Sequence, residues 1–370
     1  MFSKIQLYMN HIKNSIFILL FIVALFACER SAEKGNLPTA KGDGGEIILF
    51  MDSTKWKGEL GKAVREVFHA PLNGTLRDER IFTIRYISPG GFNSFIKNHK
   101  NIIMVTSFES NSLDTKRLKG FYDDKSLKMI EQSKDDSLFM ILNKDQFAKD
   151  QLLLFLFSKT DDGLIKKLKE NKAQLQELFE SAEVRRLTQK VYASGEQTNI
   201  NKLIRTKHDF NMRVPFGYEE VINNISEDKK QGFIWHRVLD QEVDKSIFVA
   251  YKPYLNQNQF ERDSIIAWRN QICRQYIFGD PEKKDSTFVT TETLEPAVVK
   301  PLMVRGRYTV ETRGLWKTFN VSMGGSFVSY IFADSKKGRI YYAEGFVYAP
   351  SKMTKREYLR ELQVVITSIE

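Results

Sequence analysis

The sequence predicts an α+β protein with two domains, from its size, its composition and the order of its elements. The chain has 370 residues, which is too many for a single hydrophobic core of ordinary size. Its apolar content of 42% and aromatic content of 12% are typical of a globular protein rather than a disordered one. Strand-like and helix-like segments alternate in the first half, whereas alternating strand patterns dominate the second.

The first domain is predicted to span residues 46–194. Four runs have the length and apolar character of strands, namely 46–51, 81–87, 101–106 and 137–142. Segments with the apolar spacing of helices lie between them. This order favours a mixed or partly parallel sheet that is covered by helices. The dense apolar run at 152–157 is predicted to belong to a helix at 146–157. A single long amphipathic helix is predicted at 161–192, with a solvated lysine face as the favoured interpretation and a membrane-surface helix as the alternative.

The second domain is predicted to span residues 201–370. Alternating residues indicate strands, and residues 334–338 predict the turn of an antiparallel hairpin. Ile265, Trp268, Ile272 and Tyr276 have the spacing of one buried helix face. A terminal helix is predicted to begin at a capping box of Thr354 and Glu357. The pattern indicates an antiparallel sheet flanked by helices.

The N-terminal residues predict export and lipid anchoring. Lys4 and Lys13 precede an uncharged apolar run at 16–25, which has the length of a signal-peptide core. Leu25-Phe26-Ala27-Cys28 resembles the bacterial lipobox, so residues 1–27 are predicted to be a lipoprotein signal peptide and Cys28 the acylated residue. The alternative is a short membrane anchor that is never cut. Residues 28–45 are polar and glycine-rich, which predicts a flexible tether.

Charge and cysteine content limit the partners. Loss of Lys4 and Lys13 with the signal peptide lowers the formal net charge from +10 to +8. Such a surface suits anionic lipid, peptidoglycan carboxylates or an acidic partner, although a solvated lysine-rich surface is the favoured interpretation. Nucleic acid is not expected outside the cytoplasm. With Cys28 acylated, Cys273 is the second of two cysteines, so no disulfide within the chain is expected.

Several short runs resemble a family of Bacteroidetes lipoproteins known as domain of unknown function 4837. The resemblance rests on Arg313-Gly314-Leu315-Trp316, Met323-Gly324-Gly325, Phe327-Val328-Ser329-Tyr330 and residues 345–350, with support from the lipobox, Trp56 and residues 101–103. It is expected to cover nearly all of the mature chain, and it implies no established activity, substrate or catalytic residue. The element order of the second half is also similar to the PsbP-like sandwich, an analogy of fold alone.

No catalytic or cofactor motif stands out in the sequence. It lacks a P-loop, a dinucleotide fingerprint, a Gly-x-Ser-x-Gly elbow and paired histidines at metal-ligand spacing, so no catalytic residue, cofactor or metal is assigned. The candidate ligand surface lies within residues 305–330 and comprises Arg307, Arg313, Trp316, Gly324 and Gly325. Arginine beside an aromatic ring suits a carboxylate, phosphate or sugar. The alternative is structural, with an arginine paired to Glu311 or Glu292 and Trp316 in the core.

These features together favour a membrane-anchored cell-envelope lipoprotein, on the periplasmic face of the outer or inner membrane. We expect a non-enzymatic binding or assembly module whose partner is the membrane, through Cys28, together with an envelope protein or glycan. The alternative is a hydrolase or transferase that acts on envelope glycan or lipid.

Overall fold

The computed structural model describes residues 37–132, 138–320 and 322–370, and these residues form two domains of the α+β class. The predicted signal peptide, Cys28 and the first part of the predicted tether lie outside the described residues. Each domain is built on one sheet with helices on both faces, so both sheets are buried on two sides.

The first domain contains a five-stranded mixed sheet in the order β2-β1-β3-β5-β4. Its strands are β1 (Glu46–Met51), β2 (Thr83–Ile87), β3 (Asn101–Ser107), β4 (Met140–Lys144) and β5 (Leu152–Ser158). All neighbours pair in parallel except the edge strand β4, which is antiparallel to β5. The parallel pairs require helical crossovers, and these helices cover the sheet.

Helices cover both faces of this sheet. They are α1 (Ser53–Lys57), α2 (Glu59–Phe68), α3 (Leu113–Lys119), α4 (Asp124–Gln132), α5 (Asp161–Glu170) and α6 (Lys172–Val191). Apolar residues of α2, α5 and α6 pack on one face, and those of α3 and α4 pack on the other. The predicted single helix at 161–192 is two helices, because α5 ends at Glu170 and α6 begins at Lys172, with Asn171 between them.

The predicted helix at 146–157 is wrong, because its apolar half is the strand β5. All seven residues of β5 are buried, and they pair with β3 on one side and β4 on the other. A strand that is covered on both faces has apolar residues at successive positions rather than at alternate ones. An apolar run of this length is therefore compatible with either a buried helix or a buried strand. Here the hydrogen-bonded pairing with β3 and β4 shows that it is a strand.

Part of the predicted tether belongs to the first domain. Thr39 and Lys41 form β-bridges with Lys149 and His99, and the Ala40 N–H donates to the Lys149 carbonyl over 3.0 Å. Residues 39–41 therefore pack against the amino-terminal edge of the sheet, so the first domain includes residues before the predicted boundary at residue 46.

The second domain contains a large antiparallel sheet in the order β10-β11-β12-β13-β8-β7-β6, and β9 pairs with β11. Its strands are β6 (Glu219–Ile225), β7 (Gly232–Leu239), β8 (Asp244–Pro253), β9 (Val289–Thr291), β10 (Val298–Val304), β11 (Arg307–Thr318), β12 (Gly324–Asp334) and β13 (Arg339–Tyr348). The predicted hairpin turn at 334–338 joins β12 to β13 and is confirmed.

Helices cover both faces of this sheet, as predicted. They are α7 (Thr198–His208), α8 (Arg262–Tyr276), α9 (Lys284–Thr287) and α10 (Arg356–Ile366). Helix α8 lies on one face with Ile265, Trp268 and Ile272 buried and Tyr276 partly buried, which confirms the predicted stripe. Helices α7 and α10 lie on the other face.

A buried ion pair, which the apolar stripe did not predict, fixes α8 on its sheet. Arg269 and Glu344 are both fully buried, and the guanidinium donates two hydrogen bonds of 2.8 Å to the carboxylate. Tyr342 donates a third bond to Glu344 over 2.6 Å, and Arg269 also donates to Thr291. Burial opposes the charge on Arg269, but Glu344 raises the pKa of the guanidinium above its ordinary value.

The first domain caps α10, and the predicted capping box of Thr354 and Glu357 is wrong. The buried Glu79 carboxylate accepts hydrogen bonds from the backbone N–H groups of Lys355, at 2.8 Å, and Arg356, at 3.0 Å. A negative group stabilises the positive end of the helix dipole and satisfies N–H groups that lack partners in the helix. Glu357 instead pairs with Arg356 and Arg360.

Replacement of Glu79 by alanine should destabilise the docked arrangement of the two domains. Loss of a cap costs about 1–2 kcal/mol, and here the lost contact also joins the domains. We expect a lower urea midpoint for Glu79→Ala, measured by circular dichroism. Asp78→Ala serves as the matched control, because Asp78 is an exposed neighbour that pairs with Arg80. Equal midpoints for the two variants would contradict this role of Glu79.

Candidate functional site: a groove between the two domains

Arg313, the central residue of the predicted ligand surface, is held in an internal ion pair. Its side chain is 15% exposed, and it donates to Glu311 over 2.9 and 3.1 Å. Gln363 of α10 accepts a further bond from Arg313, and Tyr330 donates to Glu311 over 2.6 Å. Burial would raise the pKa of Glu311, but Arg313 and the Tyr330 hydroxyl hold it below its ordinary value. This contact is the one that the alternative interpretation of the sequence predicted, in which an arginine of this segment pairs with Glu311.

Trp316 and Arg313 lie on opposite faces of the sheet, so they do not form one surface. Trp316 is buried on the α8 face and packs against Phe346, and its indole N–H donates to the Val347 carbonyl over 3.3 Å. Gly325 lies opposite Trp316, and a Cβ atom there would stand 2.1 Å from the Val347 oxygen. Gly324 and Gly325 thus give room to the indole ring and the neighbouring strand rather than to a ligand.

Arg307 is also used internally. Its guanidinium lies 3.5 Å from the centroid of the Phe332 ring and donates to the Ile369 carbonyl over 3.1 Å. Burial lowers its pKa from the ordinary value. The predicted ligand surface is therefore not formed, since strand alternation separates its members and internal contacts occupy them.

A groove with a volume of about 360 Å³ lies where the two domains meet. The loop of residues 72–79 from the first domain forms one wall. Glu295, Pro296 and Val298, which precede or begin β10, form the other wall, and Gly314 and Leu315 of β11 complete the lining. Ligand sites commonly form at such domain boundaries.

The first wall is held rigidly by its own hydrogen bonds. The buried Thr75 hydroxyl donates to the carbonyls of Leu72 and Arg77, and the Leu72 N–H donates to the Glu79 carbonyl over 2.8 Å. Gly74 has a φ of +75°, and a Cβ atom there would stand 2.6 Å from the Gly314 nitrogen. Glycine at this position lets the loop backbone lie directly against β11.

The groove has an apolar rim and charged groups of both signs. Leu76 and Val298 line it with about half of their side chains exposed, and the neighbouring Leu294 is 87% exposed. Arg77, Asp78 and Glu295 supply the exposed charges. The described lining includes no histidine, cysteine, lysine or serine, and its threonine and Glu79 already have internal partners. The arrangement suits recognition more than acid–base or nucleophilic chemistry.

A second region, at the carboxyl ends of β1 and β3, is closed by internal contacts. Open α/β sheets bind ligands where the strand order reverses, and here that point lies between these two strands. Asp52 follows β1, is buried, and accepts bonds from the Thr54 and Lys55 N–H groups and from the hydroxyls of Thr54 and Ser112. Burial raises the pKa of Asp52, but these bonds outweigh it and lower the pKa to about 2. Its oxygens fix α1 and α3.

Within the described residues, no cluster of three or more His, Cys, Asp or Glu side chains has the geometry of a metal site. In the same part of the chain, none of the helices combines the length and apolar character that a bilayer crossing requires. Cys273 is fully buried, and burial raises the pKa of its thiol to about 12, so it is unreactive at neutral pH.

Fold and groove thus define a two-domain α+β protein with a groove at its domain boundary. Residues 197–368 match a family described as Domain of unknown function (DUF4837), and residues 40–192 match a second, described as Domain of unknown function (DUF8532). The predicted resemblance to domain of unknown function 4837 is confirmed for the second domain. The expectation that this one family covers nearly all of the mature chain is wrong, because the first domain matches a different family. Comparison with curated proteins finds no match.

The groove could not be found by motif. Asn73-Gly74 is a turn signal, and it does mark the loop that forms one wall. Nothing in the sequence connects this loop with Glu295 or Leu315, more than 200 residues later. Only the docking of the domains brings the walls together.

Replacement of Arg313 by alanine should strongly destabilise the second domain. It leaves the largely buried Glu311 carboxylate beside Tyr330 without its cation; loss of one partner of a buried pair typically costs about 3–5 kcal/mol. Thermal unfolding should show a clearly lower Tm. The matched control is Lys317→Ala on the same strand, because Lys317 is about half exposed and its pair with Glu292 lies near the surface. A normal Tm for Arg313→Ala would mean that this ion pair does not support the fold.

Proposed function

We propose that this chain is a cell-envelope lipoprotein that acts as a non-enzymatic binding or assembly module. In this proposal the acylated Cys28 holds the protein at the membrane, and the inter-domain groove receives a polypeptide segment of an envelope partner. The observation that carries the proposal is the groove itself, with one wall held by its own hydrogen bonds, an apolar rim and exposed charges of both signs.

The composition of the groove favours a polypeptide over a glycan. Sugar rings stack on aromatic side chains, and the described lining has none. The exposed Leu76, Leu294 and Val298 offer apolar contacts to side chains, while Arg77 and Glu295 offer partners for charged groups. Walls that are already ordered lose little conformational entropy when a partner binds, which favours affinity.

The same contacts favour binding over hydrolysis. Glu79 is engaged by the N-terminus of α10, and Asp78 pairs with Arg80. A glycosidase requires two carboxyl groups that are free to exchange protons with a substrate. The alternative of a glycan- or lipid-acting enzyme would need such a pair in the groove.

Photo-crosslinking from the groove tests the proposed binding site. A photoreactive phenylalanine analogue at Leu294 or Val298 should give a crosslinked species of defined mass in intact cells. The matched control carries the analogue at Leu239, which is 56% exposed at the end of β7. Leu76→Glu should weaken the crosslink from Leu294 without lowering Tm, because Leu76 is exposed. Equal adducts from Leu294 and Leu239 would contradict the groove as the binding site.

Replacement of Cys28 by serine tests the proposed anchor. Cys28→Ser should lose labelling by a palmitate analogue and should no longer fractionate with membranes as a mature-size species. Cys273→Ser is the matched control, because Cys273 is buried in the second domain and should leave lipidation unchanged. A Cys28→Ser protein that still carries lipid at mature size would show the lipobox interpretation to be wrong.

A further inference from the structure

Two fully buried histidines lie beneath α7, where it covers the sheet near its edge strand β6. His208 ends α7, and His236 lies on β7 opposite Glu220 of β6. His236 has the same parity along β7 as Ile234, which belongs to the core under α7. Both imidazoles therefore occupy the layer that joins α7 to this end of the sheet.

His208 is held as a neutral ring by a complete set of hydrogen bonds. Its Nε2 lies 2.9 Å from the Asn223 side-chain oxygen, and its Nδ1 lies 3.1 Å from the Tyr251 hydroxyl. Because an amide oxygen only accepts, Nε2 carries the proton and Tyr251 donates to Nδ1. A second proton on Nδ1 would reverse this bond, since the Tyr251 hydroxyl would have to turn and accept from the ring.

His236 has neither a solvent contact nor a hydrogen bond within the described part of the chain. The nearest carboxylate oxygen belongs to Glu220, 3.9 Å from its Nε2, and Glu220 accepts a bond from Asn223. A buried polar ring without partners costs free energy, and a buried cation costs more. Proton uptake by His236 therefore requires that water reach the ring.

The charged groups around the pair give little compensation. Lys207 and Arg339 stand near His208 and oppose a further positive charge there, and a charge on His208 opposes protonation of His236. Glu220 on β6 is the anion that faces both rings, and its side chain is about one-third exposed. Asp209 lies beside His208 but faces the cations Lys337 and Arg339.

We propose that His208 and His236 form an acid-sensitive latch, whose protonation releases α7 and the edge strand β6 from the antiparallel sheet. The neutral rings pack in the closed state, whereas the charged rings need the hydration that only the open state provides. Burial lowers the pKa of His236 to about 4, against an ordinary 6.5 in the open state. The closed state is therefore fully favoured above pH 6.5 and loses stability as the pH falls towards 4.

Hydrogen exchange of the full mature chain tests the latch. For His236 alone, the opening equilibrium should rise about 20-fold between pH 7 and pH 5, seen as lower protection factors for the β6 and α7 amides. Strands β1 and β3 of the first domain should keep their protection. His236→Phe, which fills the site without a titrating group, should remove most of the pH dependence in β6. His69→Gln, a histidine change in the first domain, should leave it intact.

The contrary results are equally defined. Unchanged protection factors of β6 at pH 5, or an undiminished pH dependence in His236→Phe, would overturn the latch. Should His236→Phe fail to fold, the imidazole signal of His236 in the unmodified chain decides. A folded-state titration midpoint below pH 5 supports the proposal, and a midpoint near 6.5 contradicts it.

Discussion

The arrangement of the two domains depends on one buried cation, the guanidinium of Arg360 on α10. Arg360 is 3% exposed and donates to Glu180 of α6 over 2.6 and 3.0 Å and to the Ile81 carbonyl over 2.8 Å. Burial opposes its charge, but Glu180 raises the pKa of the guanidinium above its ordinary value. A buried charge without hydrogen-bond and ion-pair partners is strongly destabilising. Helix α10 therefore has one favourable position on the first domain, the one in which Arg360 reaches Glu180 and Ile81.

Helix α10 thereby belongs to both domains at once. Its apolar residues Leu359, Leu362 and Val365 complete the core on one face of the antiparallel sheet. Its polar first turn contacts the first domain, where Glu79 accepts from its N–H groups and Arg356 donates to the Gly44 carbonyl over 2.7 Å. Since the groove is walled by residues of both domains, its shape follows from this single docked helix.

Local sequence patterns predicted most of the fold. Errors arose where contacts with residues far away in the sequence determine the structure of a segment. The strands β1 and β3, the α8 stripe and the β12–β13 hairpin follow from periodicity and turn chemistry, which are local properties. Strand β5 was predicted as helix because its alternation is erased by cover on both faces. The start of α10 was misassigned because its capping group, Glu79, is more than 270 residues away in the sequence.

The candidate site also shows this difference between what local sequence patterns predict and what distant contacts determine. Arg313 and Trp316 are close in sequence and carry suitable chemistry, but three residues along a strand place them on opposite faces. The residues that do form a groove are individually ordinary, and a loop, an edge strand and a bridging helix bring them together. No pattern within a single segment could have predicted that juxtaposition.

Charge pairs that are fully or largely buried join helix to strand on both faces of the second domain's sheet. Arg269 joins α8 to β13 on one face, and Glu311 and Arg313 join β11 to Gln363 of α10 on the other. An apolar pair of similar volume would often give equal or greater stability, so stability alone does not account for buried ions. What the bidentate geometry does provide is a fixed register between helix and strand. With both helices fixed against the sheet and α10 fixed on the first domain, the groove is formed before any partner arrives.

The histidine pair under α7 lies at the opposite end of this sheet, near β6, where no such charge pair joins helix to strand among the described contacts.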